Sequence, residues 1–235
     1  MLQVTFSPEN LPQGGALALL VAEGQTPSAF FTALDDATQG AIARAAKADE
    51  FTGKDGVVTT ILAPGAGFER IVLVGVGKPE AFGPKEAEAA GSLAASSLSR
   101  STKASIALGG LPHAAHVALG ATLGAYHFSL YQSVPGEDKK HALASVTVLT
   151  ADTAAAQAAW PAQAAVARGV ILTRDLVTEP ANVLNPIEFA ERITTLRSLG
   201  LEVEVLDQAA MEKLGFGALL GVAQGSENAP RTVVM

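Results

Sequence analysis

The chain has 235 residues, 49% hydrophobic and 17% charged, with 16 basic against 23 acidic side chains and a net charge of −7. This composition describes a globular protein of one large or two modest domains, and its negative balance offers no general attraction for nucleic-acid backbones or anionic lipid. There is no cysteine for a disulfide or thiolate metal site, residues 1–10 lack the features of a secretory signal, and the richest apolar run, 16–22, is too short to span a bilayer, so a soluble, cytoplasmic protein is expected.

Val4 and Phe6, then residues 17–21, read as two strands separated by a turn at Pro12, Gly14 and Gly15. Residues 28–47 are Ala-rich and predicted to be mostly helical. Gly53 and Gly56 mark a turn before the β-branched run at 57–62, a predicted strand. The apolar run at 71–77, carrying Gly75 and Gly77, suits a strand buried on both faces. Pro84 can open a helix at its first position, continuing to Arg100. A strand at 104–108, a helix at 113–128, an exposed polar loop at 135–140 and a strand at 145–149 complete this part. Strands alternating with helices predict an α/β fold, with a mixed or parallel sheet covered on both faces.

A connecting helix is predicted from Pro161 to Val177, with Val166, Val170 and Val177 on one face. Pro180 and Pro186 forbid its continuation, which makes residues 174–186 a junction. Asn185, Pro186 and Glu188 then supply a cap, a first-turn proline and a glutamate placed to close a capping box. Phe189, Ile193 and Leu196 line one face of the helix that Gly200 ends. Leu201, Val203 and Val205 alternate with glutamates, predicting a strand with one wet face. Asp207 caps a short helix closing at Gly215, and residues 217–225 read as a small apolar strand running into a glycine loop. Residues 232–235 read as the start of a buried strand with no partner in the chain, so a truncation at Met235 is expected. The domains so predicted are 1–150, a linking helix at 151–178, and an incomplete domain at 179–235.

No complete catalytic constellation stands out. Gly75 and Gly77 follow a strand as in a dinucleotide fingerprint, but the third glycine is replaced by Glu80, and Pro79 and Pro84 delay the helix that would cradle a phosphate. His113 and His116 lie three apart on a predicted helix without the glutamate of a metalloprotease motif; His127 and His141 are isolated. The acid pairs Asp35–Asp36, Asp49–Glu50 and Glu137–Asp138 are adjacent in sequence, which separates them on a helix and solvates them in a loop. Gly225–Ser226 lacks the flanking glycines of a nucleophile elbow, since Gln224 and Asn228 stand there. No P-loop occurs, and 5% aromatic residues give no stacking platform for single strands.

The run Arg174, Asp175, Leu176, Val177, Thr178, Glu179, Pro180, Ala181, Asn182, Val183, Leu184, Asn185, Pro186 resembles the opening of the catalytic domain of the leucyl (cytosol) aminopeptidase family, R-x-L-V-x-x-P-A-N-x-L-x-P. Residues 214–226 are similar to that family's L-G-M-G-A-L-L-A-V-G-Q-G-S, with Pro230 and Arg231 following, and residues 51–54, 73–78 and 123–128 look like further landmarks. The departures are Ala223 where glycine is common, and Thr178–Glu179 where Asn often comes first. The resemblance implies an N-terminal α/β domain of macrodomain-like topology, a linking helix, and the start of a zinc-exopeptidase-like domain. It also implies a cytoplasmic, hexameric metallo-aminopeptidase, a hydrolase that takes leucine-like residues from peptide N-termini with two divalent ions, zinc or manganese.

The family's metal-binding motifs, F-D-x-G-G-x-x-x-K-P and N-T-D-A-E-G-R, are absent from the sequence. No catalytic, metal or cofactor-binding residue can therefore be placed on it, no metal is expected to be held by this chain, and the chain is expected to be inactive alone. Two other readings differ in class. One is a nucleotide- or ADP-ribose-binding module, motivated by Gly75 and Gly77. The other is a DNA-binding accessory role, known for some members of the family, against which the acidic balance argues.

Overall fold

The computed structural model describes residues 1–131 and 143–235; the polar loop expected at 135–140 lies outside them. The chain forms two compact units, Met1–Ile171 and Leu172–Met235.

In the first unit, strands β1 (Gln3–Pro8), β2 (Gly15–Val21), β3 (Val58–Gly65), β4 (Phe68–Gly75), β5 (Lys103–Ala107) and β6 (Ser145–Thr150) form one sheet in the order β1-β6-β5-β2-β4-β3. Only β3 runs antiparallel to its neighbour; the remaining pairs are parallel. Because strand side chains alternate, Ala18, Leu20, Val72, Val74, Ile106 and Val148 enter one core while Leu17, Leu19, Ile71 and Leu73 enter the other. Burial on both faces explains why β2 and β4 read as unbroken apolar runs. Full burial of each such Leu or Ile favours folding by about 1.5–3 kcal/mol before ordering entropy is charged against it.

Helices α1 (Ala29–Ala37) and α2 (Ala41–Ala48) supply Phe30, Leu34 and Ile42 to the second core. The mostly helical stretch expected over 28–47 is thus two helices, separated where Gln39 (φ 54°) and Gly40 (φ 77°) turn left-handed. Helices α3 (Pro84–Ser97) and α4 (Ala114–Gly124) cover the first core. They approach backbone to backbone. A Cβ added at Gly91 would lie 2.0 Å from the Val117 carbonyl oxygen, and one added at Gly120 would lie 1.9 Å from that of Glu88. Helix α4 is buried on nearly every side, from Ala114 to Thr122, and ends earlier than the predicted residue 128.

Helix α5 (Thr153–Thr178) begins two turns before Pro161, which lies inside it. The Asp152 carboxylate accepts from the Ala155 N–H at 2.9 Å, and the alanines that follow are strong helix formers, which is why the helix starts there. Its buried positions are Ala156, Ala164 and Ala167; Val166 and Val177, expected on the apolar face, are 51% and 80% exposed.

In the second unit, α6 (Pro186–Thr194) starts as predicted, with the Asn185 side chain accepting from Ile187 and Glu188 N–H groups. The capping-box expectation is corrected: the Glu188 carboxylate is bonded to Arg192, four residues ahead. A 3₁₀ turn over Thr195–Leu199 ends at Gly200, φ 90°. The strand predicted from Leu201 is confined to β7 (Glu204–Leu206), and Asp207 caps α7 (Gln208–Lys213), as expected. Residues 217–223, read as a strand, form helix α8 (Gly217–Ala223). So short an apolar run fits either period, and the local Leu220 N–H to Phe216 carbonyl bond at 3.0 Å belongs to the helix. Finally, β8 (Thr232–Val234), expected to have no partner, pairs antiparallel with β7, Val205 opposite Val233.

Candidate functional site

Several of the residues singled out in the sequence have structural partners. At the end of β4, the Gly77 N–H donates to the Gly53 carbonyl at 2.9 Å, the Gly77 carbonyl accepts from Glu23 at 2.8 Å, and the Val76 N–H donates to Val21 at 3.1 Å. A Cβ at Gly75 would meet the Lys54 carbonyl at 2.1 Å. These glycines let strand-end loops pack tightly, their amides are spent on backbone oxygens, and a 3₁₀ turn at Pro79–Ala81 follows where a phosphate-binding helix would begin. Nothing in this geometry favours the nucleotide reading.

His113 and His116 stack edge to face with ring centroids 5.8 Å apart, and His116 Nε2 lies 3.4 Å from the Gln163 amide nitrogen. Asp35 accepts from the Ala43 N–H at 2.9 Å and Asp49 accepts from the Thr59 hydroxyl at 2.7 Å, so each belongs to a loop or cap. The Ser226 hydroxyl accepts from the Asn228 N–H at 3.1 Å, closing a turn. His141 and the Glu137–Asp138 pair lie outside the described residues. Among the described residues no three His, Asp or Glu side chains gather as metal ligands would. The donor set in hand does not fit a catalytic metal.

Two polar arrangements escape the sequence reading. The first is at the junction, where Arg192 Nη1 donates to Glu179 Oε1 at 2.8 Å and Arg192 Nε donates to Glu188 Oε1 at 3.0 Å. The Glu179 side chain is only 3% exposed, so its charge requires this partner. The bond that Arg192 donates to Glu179, followed by the one it donates to Glu188, raises its pKa above the ordinary value. The i, i+4 spacing of Glu188 and Arg192 is visible in the sequence; the Glu179 contact needs the fold.

The second is Glu9, just past β1. Its carboxylate accepts from the Gly109 and Gly110 N–H groups after β5, the latter at 3.1 Å, with both glycines at left-handed φ of 64° and 85°. Burial raises its pKa; the bonds from Gly109, Gly110 and Leu108 oppose that rise without cancelling it. The amides there form an anion nest, already filled by the chain's own carboxylate.

Around the start of α6, Leu184, Pro186, Phe189, Ile193, Val233 and Met235 line a groove of about 430 Å³, with Asn185 and Arg231 as its polar members. A neighbouring groove of about 420 Å³ shares Pro186 and Arg231 and adds Leu219, Val222, Ala223 and Pro230. The lining carries no acid, histidine or nucleophile, so it can hold apolar groups but cannot by itself perform hydrolysis.

Residues 18–135 match the N-terminal domain of the cytosol aminopeptidase family, and residues 171–235 match its catalytic domain. The chain belongs to the cytosol aminopeptidase family. A probable cytosol aminopeptidase of Gluconobacter oxydans is 45% identical over 245 residues, taking in 100% of this chain and 49% of that protein. One from Sinorhizobium medicae is 42% identical, over 99% of this chain and 48% of the relative. Among solved structures, a tomato leucine aminopeptidase variant superposes with a TM-score of 0.85 at 25% identity, covering 99% of this chain and 50% of the other. The bottromycin maturation enzyme BotP, in complex with Mn, gives 0.71 at 26% identity, covering 94% and 44%. The chain thus spans about half the length of the curated relatives it matches. The resemblance read at the junction and the α/β fold class are both upheld. Among the described residues no helix is long and apolar enough to cross a membrane.

Proposed function

We propose that this chain supplies the N-terminal domain, over 1–150, the linking helix, over 151–178, and the first part of the catalytic domain, over 179–235, of a metallo-aminopeptidase that removes N-terminal residues from peptides. The observation that carries this reading is the match of residues 171–235 to the family's catalytic domain, following the N-terminal match at 18–135 in the same chain. The Mn complex of BotP supports a divalent metal in the longer protein. Leucine-like preference, a hexamer and a cytoplasmic setting are part of the same proposal.

In this reading the residues in hand position the catalytic domain: Asn185 fixes the start of α6, and Arg192 ties α6 back to Glu179. The test is hydrolysis of a leucine anilide with Mn²⁺ or Zn²⁺ supplied. The intact relative from Gluconobacter oxydans should turn over, whereas the 235-residue chain, freed of contaminating peptidases, should not. Turnover by the 235-residue chain itself would sink the assignment of the chemistry to residues beyond it.

A further inference from the structure

The turn after β5 holds an occupied oxyanion site that the function just proposed does not use. The Gly109 and Gly110 amides both donate to the Glu9 carboxylate, and the Gly110 N–H faces both of its oxygens, 3.4 Å from Oε1 and 3.1 Å from Oε2. Consecutive amides at left-handed φ converge on one point in this way, and a planar acceptor with two oxygens fits them. A Cβ at Gly109 would lie 2.8 Å from the Leu20 carbonyl oxygen and 3.4 Å from the Ser28 hydroxyl oxygen, so the end of β2 and the cap of α1 back the nest. Nothing lies within 4 Å of the Cβ position of Gly110, which leaves the nest open on that side. Pro8 and Asn10, on either side of Glu9, are exposed, so the Glu9 side chain can withdraw to solvent by a change of rotamer with no core to unpack.

We propose that the turn after β5 is a binding site for small carboxylates, and that Glu9 is an internal ligand that holds it closed. Withdrawal of Glu9 takes the acceptor from the partly buried Gly109 N–H, which favours the entry of another. Charge sets the ligand class. The donors to Glu9 are backbone amides, and among the described residues no Lys or Arg pairs with it. Amides alone can compensate one charge spread over two oxygens, whereas a phosphate dianion would be left under-compensated. A carboxylate tethered in the chain acts at a high effective concentration, so an external one competes poorly until the tethered one is gone. The site lies wholly within the first unit and stands whatever reaction the longer protein performs.

Glu9→Ala tests this, because the fragment it deletes has the heavy atoms of acetate. The Gly109 and Gly110 amides are followed by nuclear magnetic resonance in the 235-residue chain while acetate is titrated at constant ionic strength. In Glu9→Ala both amides should shift saturably, with an affinity roughly tenfold or more above that of the parent. Acetate should also raise the Tm of that variant and not of the parent. Glu9→Gln, whose carboxamide oxygen still fills the nest, should behave as the parent does. So should Glu69→Gln, which removes the same charge from an exposed position of β4. Glu9 belongs to neither hydrophobic cluster, so Glu9→Ala keeps its core, and unshifted amide signals from β2 and β4 check this. Absence of a saturable shift in Glu9→Ala, equal acetate affinity in Glu9→Ala and the parent, the same shifts with chloride, or tighter binding of inorganic phosphate than of acetate would each overturn the proposal.

Discussion

At Glu9, two opposing effects meet on one carboxyl. Amide donors favour its charged form, burial disfavours it, and burial wins. A carboxyl whose folded pKa lies above its ordinary 4.5 binds more protons folded than unfolded between those two values. Its contribution to stability is thus fully present below the unfolded value and is lost as pH rises through the folded one. The stability of the parent relative to Glu9→Gln should therefore decline across the interval from about 4.5 upward, as urea unfolding at a series of pH values would show; a flat difference would refute it. Glu9→Ala, which also removes the acceptor, should cost about 1 kcal/mol, the low end for a lost acceptor because the site is half-open to water. Residue-scale features were legible in the sequence where they are local. Asn185 and Asp207 cap the helices that directly follow them, but Glu9 bonds to an amide 100 positions away, and no spacing rule reaches that far.

The helix pair α3 and α4 shows how glycine is used at the scale of an element. Gly91 and Gly120 are each within about 2 Å of a facing carbonyl if given a Cβ, whereas nothing lies within 4 Å of the Cβ position of Gly169 in α5. Gly120→Ala should destabilise the chain by about 1–3 kcal/mol, because the cost of forcing the helices apart exceeds the better helix propensity of alanine. Gly169→Ala should instead stabilise it by about 0.5–1 kcal/mol, through propensity alone. Thermal unfolding of the two variants checks both signs, and two shifts in the same direction would show that the contact is not what matters. Long elements with a clear period, β2 and β4 above all, were readable because two-sided burial leaves a continuous apolar run. Helical periodicity placed the start of α5 at Pro161, although the domain bounds put the linking helix at 151–178; the stronger local signal, Asp152 ahead of an alanine run, lies at its observed start. The identity of α8 was lost because a seven-residue run cannot declare its period.

Across the whole molecule the two units differ in what they bury. Both hydrophobic clusters lie in the first, and the second contributes Ala190, Ile193, Val203, Leu206 and Met211 to the buried apolar set. Amides of β7, β8 and α8 should exchange roughly a hundredfold or more faster than those of β2, β4 and β5 in the isolated chain, since local opening tracks buried apolar contact. Equal protection in the two units would contradict this. The family was legible at the junction because that run is long and specific, whereas a catalytic centre was not, because the described residues bring no such set of groups together. The carboxyl ends of the parallel strands in the first unit have a different implication. Open α/β sheets ordinarily receive ligands along that rim, yet here the end of β4 is closed by Gly53 and Glu23, and the turn after β5 is closed by Glu9. For descent with modification, the β5 turn of this rim is a place already taken by the chain's own carboxylate. Any lineage recruiting this domain to bind an anion at the β5 turn would first have to give up the acid at position 9.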